Sequence, residues 1–231
     1  MNTTSRILGE ATRPPTSLEL NNPQQAYKYA RYVLGGRFPE GEASMATDSH
    51  YAYVYARDVI KDRWPEGEAA IATSPEAYLY AIYVIKGRWP EAEAVIATDL
   101  YCAYNYAKNV IEGPFPEGEA AIAMNPQQAY YYARYIIKGP FPKGEAAMAT
   151  HPYYAYVYAK YAKGPFPEGE AAIAKDMHWA YNYALQVIKG RFPKGEEAIA
   201  TDTKYAKKYL EAFPDAKIEW YAREWIDWTY L

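Results

Sequence analysis

Residues 65–90 read P-E-G-E-A-A-I-A-T-S-P-E-A-Y-L-Y-A-I-Y-V-I-K-G-R-W-P, from Pro65 to Pro90. Pro65 follows an aromatic residue, Trp64, and opens a short apolar run with Glu66 and Glu68 in its first turn. Proline at a first helical position, with acids beside the positive end of the helix dipole, marks a helix start. A second start stands at Ser74-Pro75, and the run from Ala77 continues to Lys86-Gly87, where glycine closes a helix in the left-handed conformation. The stretch therefore reads as a helix of about two turns followed by a longer one.

The same stretch recurs along the chain. An aromatic-Pro step falls at Pro39, Pro65, Pro90, Pro116, Pro142, Pro167 and Pro193, at spacings of 26, 25, 26, 26, 25 and 26 residues. All six Phe immediately precede a Pro. Asn22, Ser74 and Asn125 stand as N-caps before Pro23, Pro75 and Pro126, with His151 before Pro152, and Asp48, Asp99 and Asp176 serve copies that lack this Pro. The longer helices should end at Gly87, Gly113, Gly139, Gly164 and Gly190 on a left-handed residue, a place Asp62 takes once. At 100° per residue, Ala26, Tyr27, Tyr29, Ala30, Val33 and Leu34 share one arc, with Lys28 and Arg31 opposite.

Neither helix is long enough to bury its apolar side alone, so copies must stack on their neighbours. The expected fold is all-α, an α-solenoid of seven two-helix repeats with atypical N- and C-terminal caps. Residues 1–22 form an N-terminal segment and degenerate cap helix, 23–200 the repeats, and 201–231 the C-terminal cap helices. The last of these carries Trp220, Trp225, Ile226 and Trp228, which either seal the open end or dimerise through it.

Composition narrows the function. The 231 residues carry 25 Lys and Arg against 28 Asp and Glu, which excludes a strongly basic nucleic-acid binder and a DNA mimic. One cysteine, Cys102, and three histidines exclude a disulfide framework and a paired-thiolate zinc site. No membrane-spanning or leader-like segment occurs, so the expectation is a soluble cytoplasmic protein that contacts no membrane.

Over residues 23–200 the pattern is similar to tetratricopeptide-type solenoids, although the period is shorter than their ~34 residues and their Trp-Leu-Gly-Tyr signature is missing. The A-Y-x-Y-A and F-P-E-G-E strings also resemble tandem repeats in uncharacterised proteins of tailed phages and environmental viral genomes. That resemblance implies a phage accessory or counter-defence protein acting in the host cytoplasm, and it carries over no functional residues.

Comparing copies separates residues that build the repeat from residues free to bind. One Glu is the same in every copy: Glu42, Glu68, Glu93, Glu119, Glu145, Glu170 and Glu196. So is the second Tyr of the longer helix: Tyr29, Tyr55, Tyr80, Tyr106, Tyr132, Tyr158 and Tyr183. A buried phenol and a buried carboxylate each need partners, so the expectation is a structural ladder in which this Glu accepts a hydrogen bond from a Tyr of its own or the adjacent copy. Glu40 and Glu42 and their counterparts point about 200° apart on a helix and cannot flank one scissile bond.

The variable positions of the longer helices are the expected partner-binding face: Lys28, Arg31, Arg57, Lys108, Tyr131, Arg134, Tyr135 and Lys160. The reading favours a protein partner, bound by surface complementarity. The alternatives are nucleic acid along the basic ridge, with Tyr stacking on bases, and sequestration of a small nucleotide. His50, His151 and His178 lack a thiol or carboxylate at ligand spacing and read as cap or surface residues, and Cys102 reads as a small packed side chain. No catalytic constellation, metal site or cofactor motif is present in the sequence, so the expectation is a non-enzymatic scaffold with no cofactor.

Overall fold

The computed structural model describes residues 14, 15 and 17–218, and every regular element among the described residues is a helix. The Trp-rich segment after residue 218, with its sealing and dimerising roles, lies outside the described residues. Internal contacts divide the chain into two units, residues 1–121 and 122–231.

In the first unit, the short helix Ser17–Leu20 stands at the degenerate cap. Short helices then run Pro39–Met45, Pro65–Ile71 and Pro90–Ile96. The long helices begin as α-helix over Pro23–Lys28, Ser49–Tyr55, Glu76–Tyr80 and Leu100–Tyr106. In the second unit they begin over Pro126–Tyr131, Pro152–Tyr158, Met177–Tyr183 and Thr203–Ala212. The short helices there are Pro142–Met148, Glu170–Ile173 and Glu196–Ala200, the last two entered through single 3₁₀ turns. Within each unit a long helix packs on the short helix that follows it and on the next long helix. Each hairpin thereby shares its apolar side with its neighbour.

The N-caps follow from side-chain chemistry. Asp99 accepts from the Tyr101 and Cys102 N–H groups at 2.9 Å, and Asn125 does the same for Gln127 and Gln128. Asn22, Asp48, Asp176 and Asp202 cap their helices likewise. Ser74 and His151 do not cap. The Ser74 hydroxyl donates instead to the Ile71 carbonyl at 3.0 Å, satisfying the last turn of the preceding short helix, and the His151 ring packs on Tyr154.

The ends of the long helices differ from the expectation. Seven of them pass into a π-helical turn, Tyr29–Leu34, Ala56–Ile60, Ala81–Ile85, Ala107–Ile111, Tyr132–Ile137, Ala159–Lys163 and Ala184–Ile188. This widened geometry is rare and normally isolated. In the third copy the N–H groups of both Lys86 and Gly87 reach the Ala81 carbonyl. The wider turn brings the chain reversal one residue early, so the left-handed residues are Gly35, Lys61, Lys86, Glu112, Lys138 and Lys189, with φ between 54° and 65°. Gly164 is the only one of the expected glycines with positive φ. The π turn also breaks the 100° step: Leu34, which falls on the apolar arc of an α-helix, is 44% exposed.

The core is a repeated set. The aromatic of each aromatic-Pro step is buried, and each packs on the second Tyr of the long helix before it at ring separations of 4.9–5.2 Å. The glycine of the P-E-G-E run lies under this ring. A Cβ at Gly144 would stand 2.6 Å from Phe141 Cδ1 and 2.7 Å from Ala129 Cβ, so even a methyl group there requires its neighbours to shift, as they do around Ala92 in the third copy.

Candidate functional site

The invariant Tyr and Glu meet between copies. Tyr106 accepts a hydrogen bond from the Trp89 N–H at 2.8 Å and donates one to Glu93 at 2.8 Å, so one phenol satisfies a buried backbone donor and a buried carboxylate. Arg88, directly before Trp89, holds both oxygens of Glu93 at 2.9 and 2.8 Å. The first unit repeats the set at Tyr55, Phe38, Glu42 and Arg37, and at Tyr80, Trp64, Glu68 and Arg63. In the second unit Tyr158, Tyr183 and Tyr209 serve Glu145, Glu170 and Glu196. In each of these pairs the phenol stands 12 or 13 residues after its carboxylate, on the long helix that follows the short one. Tyr132 is buried against Phe141, and Tyr29 packs on Phe38.

The cation has two sources. Arg191 fills the Arg88 role for Glu196, but Pro140 and Pro165 occupy this place in the preceding copies. There Lys163 reaches Glu145 and Lys194 reaches Glu170, each at 2.7 Å. Lys194 stands at the position where most copies have the outer Glu, so a substitution that looks like surface variation replaces the lost arginine from the next copy. Pro before the aromatic-Pro step was the signal in the sequence.

This network sets a pH range for stability. Hydrogen bonds from Arg37, Arg63 and Arg88 hold Glu42, Glu68 and Glu93 below the usual carboxylate range, against the opposing effect of burial. Burial pushes Tyr106, Tyr183 and Tyr209 up to about 12. A lowered carboxylate stabilises above its unfolded value near ~4.3 and loses that contribution as pH falls through its folded value. A raised phenol stabilises below its unfolded value near ~10 and loses that contribution as pH climbs toward its folded value. The thermal midpoint should therefore hold a plateau from about pH 5 to pH 9 and fall on both sides, the alkaline arm coinciding with tyrosinate absorbance. A midpoint that changes steadily across the plateau would show that the ladder does not control the pH response.

The first Tyr of three long helices braces the next copy at the variable face. Tyr27 donates to Asp58 at 2.8 Å, Tyr156 donates to Gln186 at 3.1 Å, and Asn109 donates to Tyr78 at 3.4 Å. Asp58 also binds Arg57 through two bonds, at 2.7 and 2.9 Å, and forms an ion pair with Arg31. The basic ridge of the first unit is thus partly neutralised by its own chain, while Lys28 and Lys108 stay exposed. In the second unit Arg134 lies 4.4 Å over the Tyr161 ring and donates to the Tyr161 carbonyl, and Lys160 lies between Tyr156 and Tyr161. Tyr131 packs on Tyr130 and Tyr135. The positions equivalent to Asp58, which include Asn109 and Gln186, carry a projecting ring in other copies: Tyr32 is 66% exposed, and Tyr83 and Tyr135 are each 56% exposed.

No protein-family model, curated protein or solved structure matches this chain. The reading of the site therefore rests on its own geometry. Among the described residues no cluster of His, Cys, Asp and Glu could hold a metal ion, and no helix is long and apolar enough to cross a membrane. His50 lies 3.9 Å from Glu76, and the His178 ring makes a 2.7 Å hydrogen bond with the Tyr205 hydroxyl. Burial raises the Cys102 thiol to about 12, which leaves it protonated and a poor nucleophile at neutral pH. Sequence reasoning missed Asp58 as an anchor and Lys163 as a ladder cation, because both meet partners far along the chain.

Proposed function

We propose that this chain is a non-enzymatic binding scaffold whose stacked repeats form a solenoid and whose long-helix face recognises a protein partner. One observation carries the reading: Tyr32 and Tyr83 project from the long helices of the first unit, while Arg31 and Arg57 on those helices are tied to Asp58. A polyanion would need those cations available. Projecting tyrosines on a rigid scaffold instead offer large amphipathic contact area with few rotamers to freeze, the usual composition of protein-binding hot spots. The ladder beneath them supplies the rigidity, since each copy is joined to the next through a buried phenol.

The resemblance of the A-Y-x-Y-A and F-P-E-G-E strings to phage repeats supports a setting in which the target is a host protein, blocked sterically in the host cytoplasm. The test is a quantitative pull-down at physiological salt from host lysate, comparing the native chain with a Tyr32→Ala, Tyr83→Ala double variant. The expected result is a protein recovered in stoichiometric amount by the native chain and reduced at least about tenfold by the variant. Equal recovery by both, or no protein partner with the native chain, would reject the reading.

A further inference from the structure

The second unit differs from the first in charge and in aromatic content. Apart from Lys163, which is paired with Glu145, the helical stretches of its long helices carry Arg134, Lys160, Lys204, Lys207 and Lys208 against one acidic residue, Glu211. Their counterparts in the first unit include Asp58 and Glu76, and Asp58 occupies two arginines.

Aromatic rings run across the same helices in continuous contact. Tyr154 meets Tyr153 at 5.0 Å, and Tyr153 meets Trp179 of the next copy at 5.0 Å. Trp179 stacks on Tyr156 at 5.2 Å and 29°, and His178 carries the row to Tyr205 at 5.8 Å. Ring packing alone accounts for Tyr156, which is buried. It does not account for Tyr153 and Tyr161, which remain 38% and 41% exposed. Arg134 and Lys160 are positioned against the Tyr161 ring, which holds two cations beside an exposed π-surface.

We infer that this face of the second unit binds single-stranded nucleic acid, with Tyr153 and Tyr161 stacking on bases and Arg134 and Lys160 meeting phosphates. Exposed rings interleaved with cations match a ligand that carries a planar π-system and a negative charge in every unit of its chain. Duplexes hide their base faces, and an acidic protein segment lacks regularly spaced rings, so the single strand fits both features of the surface. The slightly negative charge of the whole chain does not oppose this, because the acids of this unit lie mainly on the short helices.

The test uses the full chain and fluorescence anisotropy with oligo-dT of ~20 nucleotides. Binding should weaken steeply between about 50 and 200 mM salt. An abasic strand of equal length and charge should bind at least about tenfold more weakly, and Tyr153→Ala with Tyr161→Ala should cost a similar factor. Tyr→Phe changes at both positions keep the ring and should keep the affinity, which separates lost stacking from lost folding. The Tyr32→Ala, Tyr83→Ala variant should bind oligo-dT like the native chain, so the outcome is independent of the protein-partner reading. Failure to bind oligo-dT at about 50 mM salt, equal affinity for the abasic strand or polyglutamate, or indifference to the double Ala variant would each overturn the inference.

Discussion

Replacing Tyr106 by Phe is expected to cost about 2–4 kcal/mol of stability, although the change removes one oxygen. The ring keeps its place against Phe115, so the loss is confined to hydrogen bonding. Without the hydroxyl the Trp89 N–H has no acceptor at a site where Trp89 is 2% exposed. An orphaned buried donor costs about 1–3 kcal/mol, and the bond to an ionised acceptor adds to that. Glu93 is itself 8% exposed but keeps both Arg88 bonds, so its charge remains compensated. Two measurements check the result: the urea midpoint, and hydrogen exchange at the Trp89 amide, which should accelerate more than amides in the short helix Pro90–Ile96 that follows it. The second matters because repeat arrays open locally and a global midpoint can average over the site. A shift under about 0.5 kcal/mol with unchanged exchange at Trp89 would mean that the phenol carries no structural weight.

Gly144→Val is the second large effect, at about 3 kcal/mol or more. Phe141 is 2% exposed and Ala129 is fully buried, so neither contact at 2.6–2.7 Å can relax toward solvent. Relief requires the short helix to move off the long one, which exposes the ring that joins them. Gly144→Ala should cost only about 1 kcal/mol, because the third copy carries Ala92 at the same position, fully buried, with its ladder intact. Thermal or urea denaturation of the pair measures the difference. Little destabilisation by either Ala or Val would show that the site yields freely and that glycine is not there for want of room.

Much of this architecture was readable because it depends on neighbours in sequence. Pro65 at a first helical position, Glu66 and Glu68 beside it, and the caps Asp99 and Asn125 act within a single turn, so residue type and spacing suffice to place the helices. Ser74 fails for the converse reason: its hydroxyl had a choice between the helix it precedes and the one it follows, and the position of the Ile71 carbonyl decided it. The invariant Glu and Tyr stood out by identity across copies, which marked them as a pair to be satisfied without showing whose phenol meets whose carboxylate.

The face was less legible. A helical wheel places Arg31 and Arg57 on a basic ridge, but it cannot show that Asp58 neutralises both or that Tyr27 reaches across to the same carboxylate. It also assumes a constant turn, and the π-helical segments change the angular step where the projecting rings Tyr32, Tyr83 and Tyr135 lie.

By itself, then, the sequence determined the period, the helix starts, the all-α class and the set of residues that must be mutually satisfied, since each follows from local backbone chemistry or from repetition. The tertiary structure decided the pairing between copies, the replacement of Arg by Lys163 and Lys194, the early left-handed closure at residues such as Lys86, and which ridge charges remain available. These depend on where the next hairpin sits. Packing sets that position through side chains 12–31 residues apart, beyond the reach of any rule that reads one helix at a time.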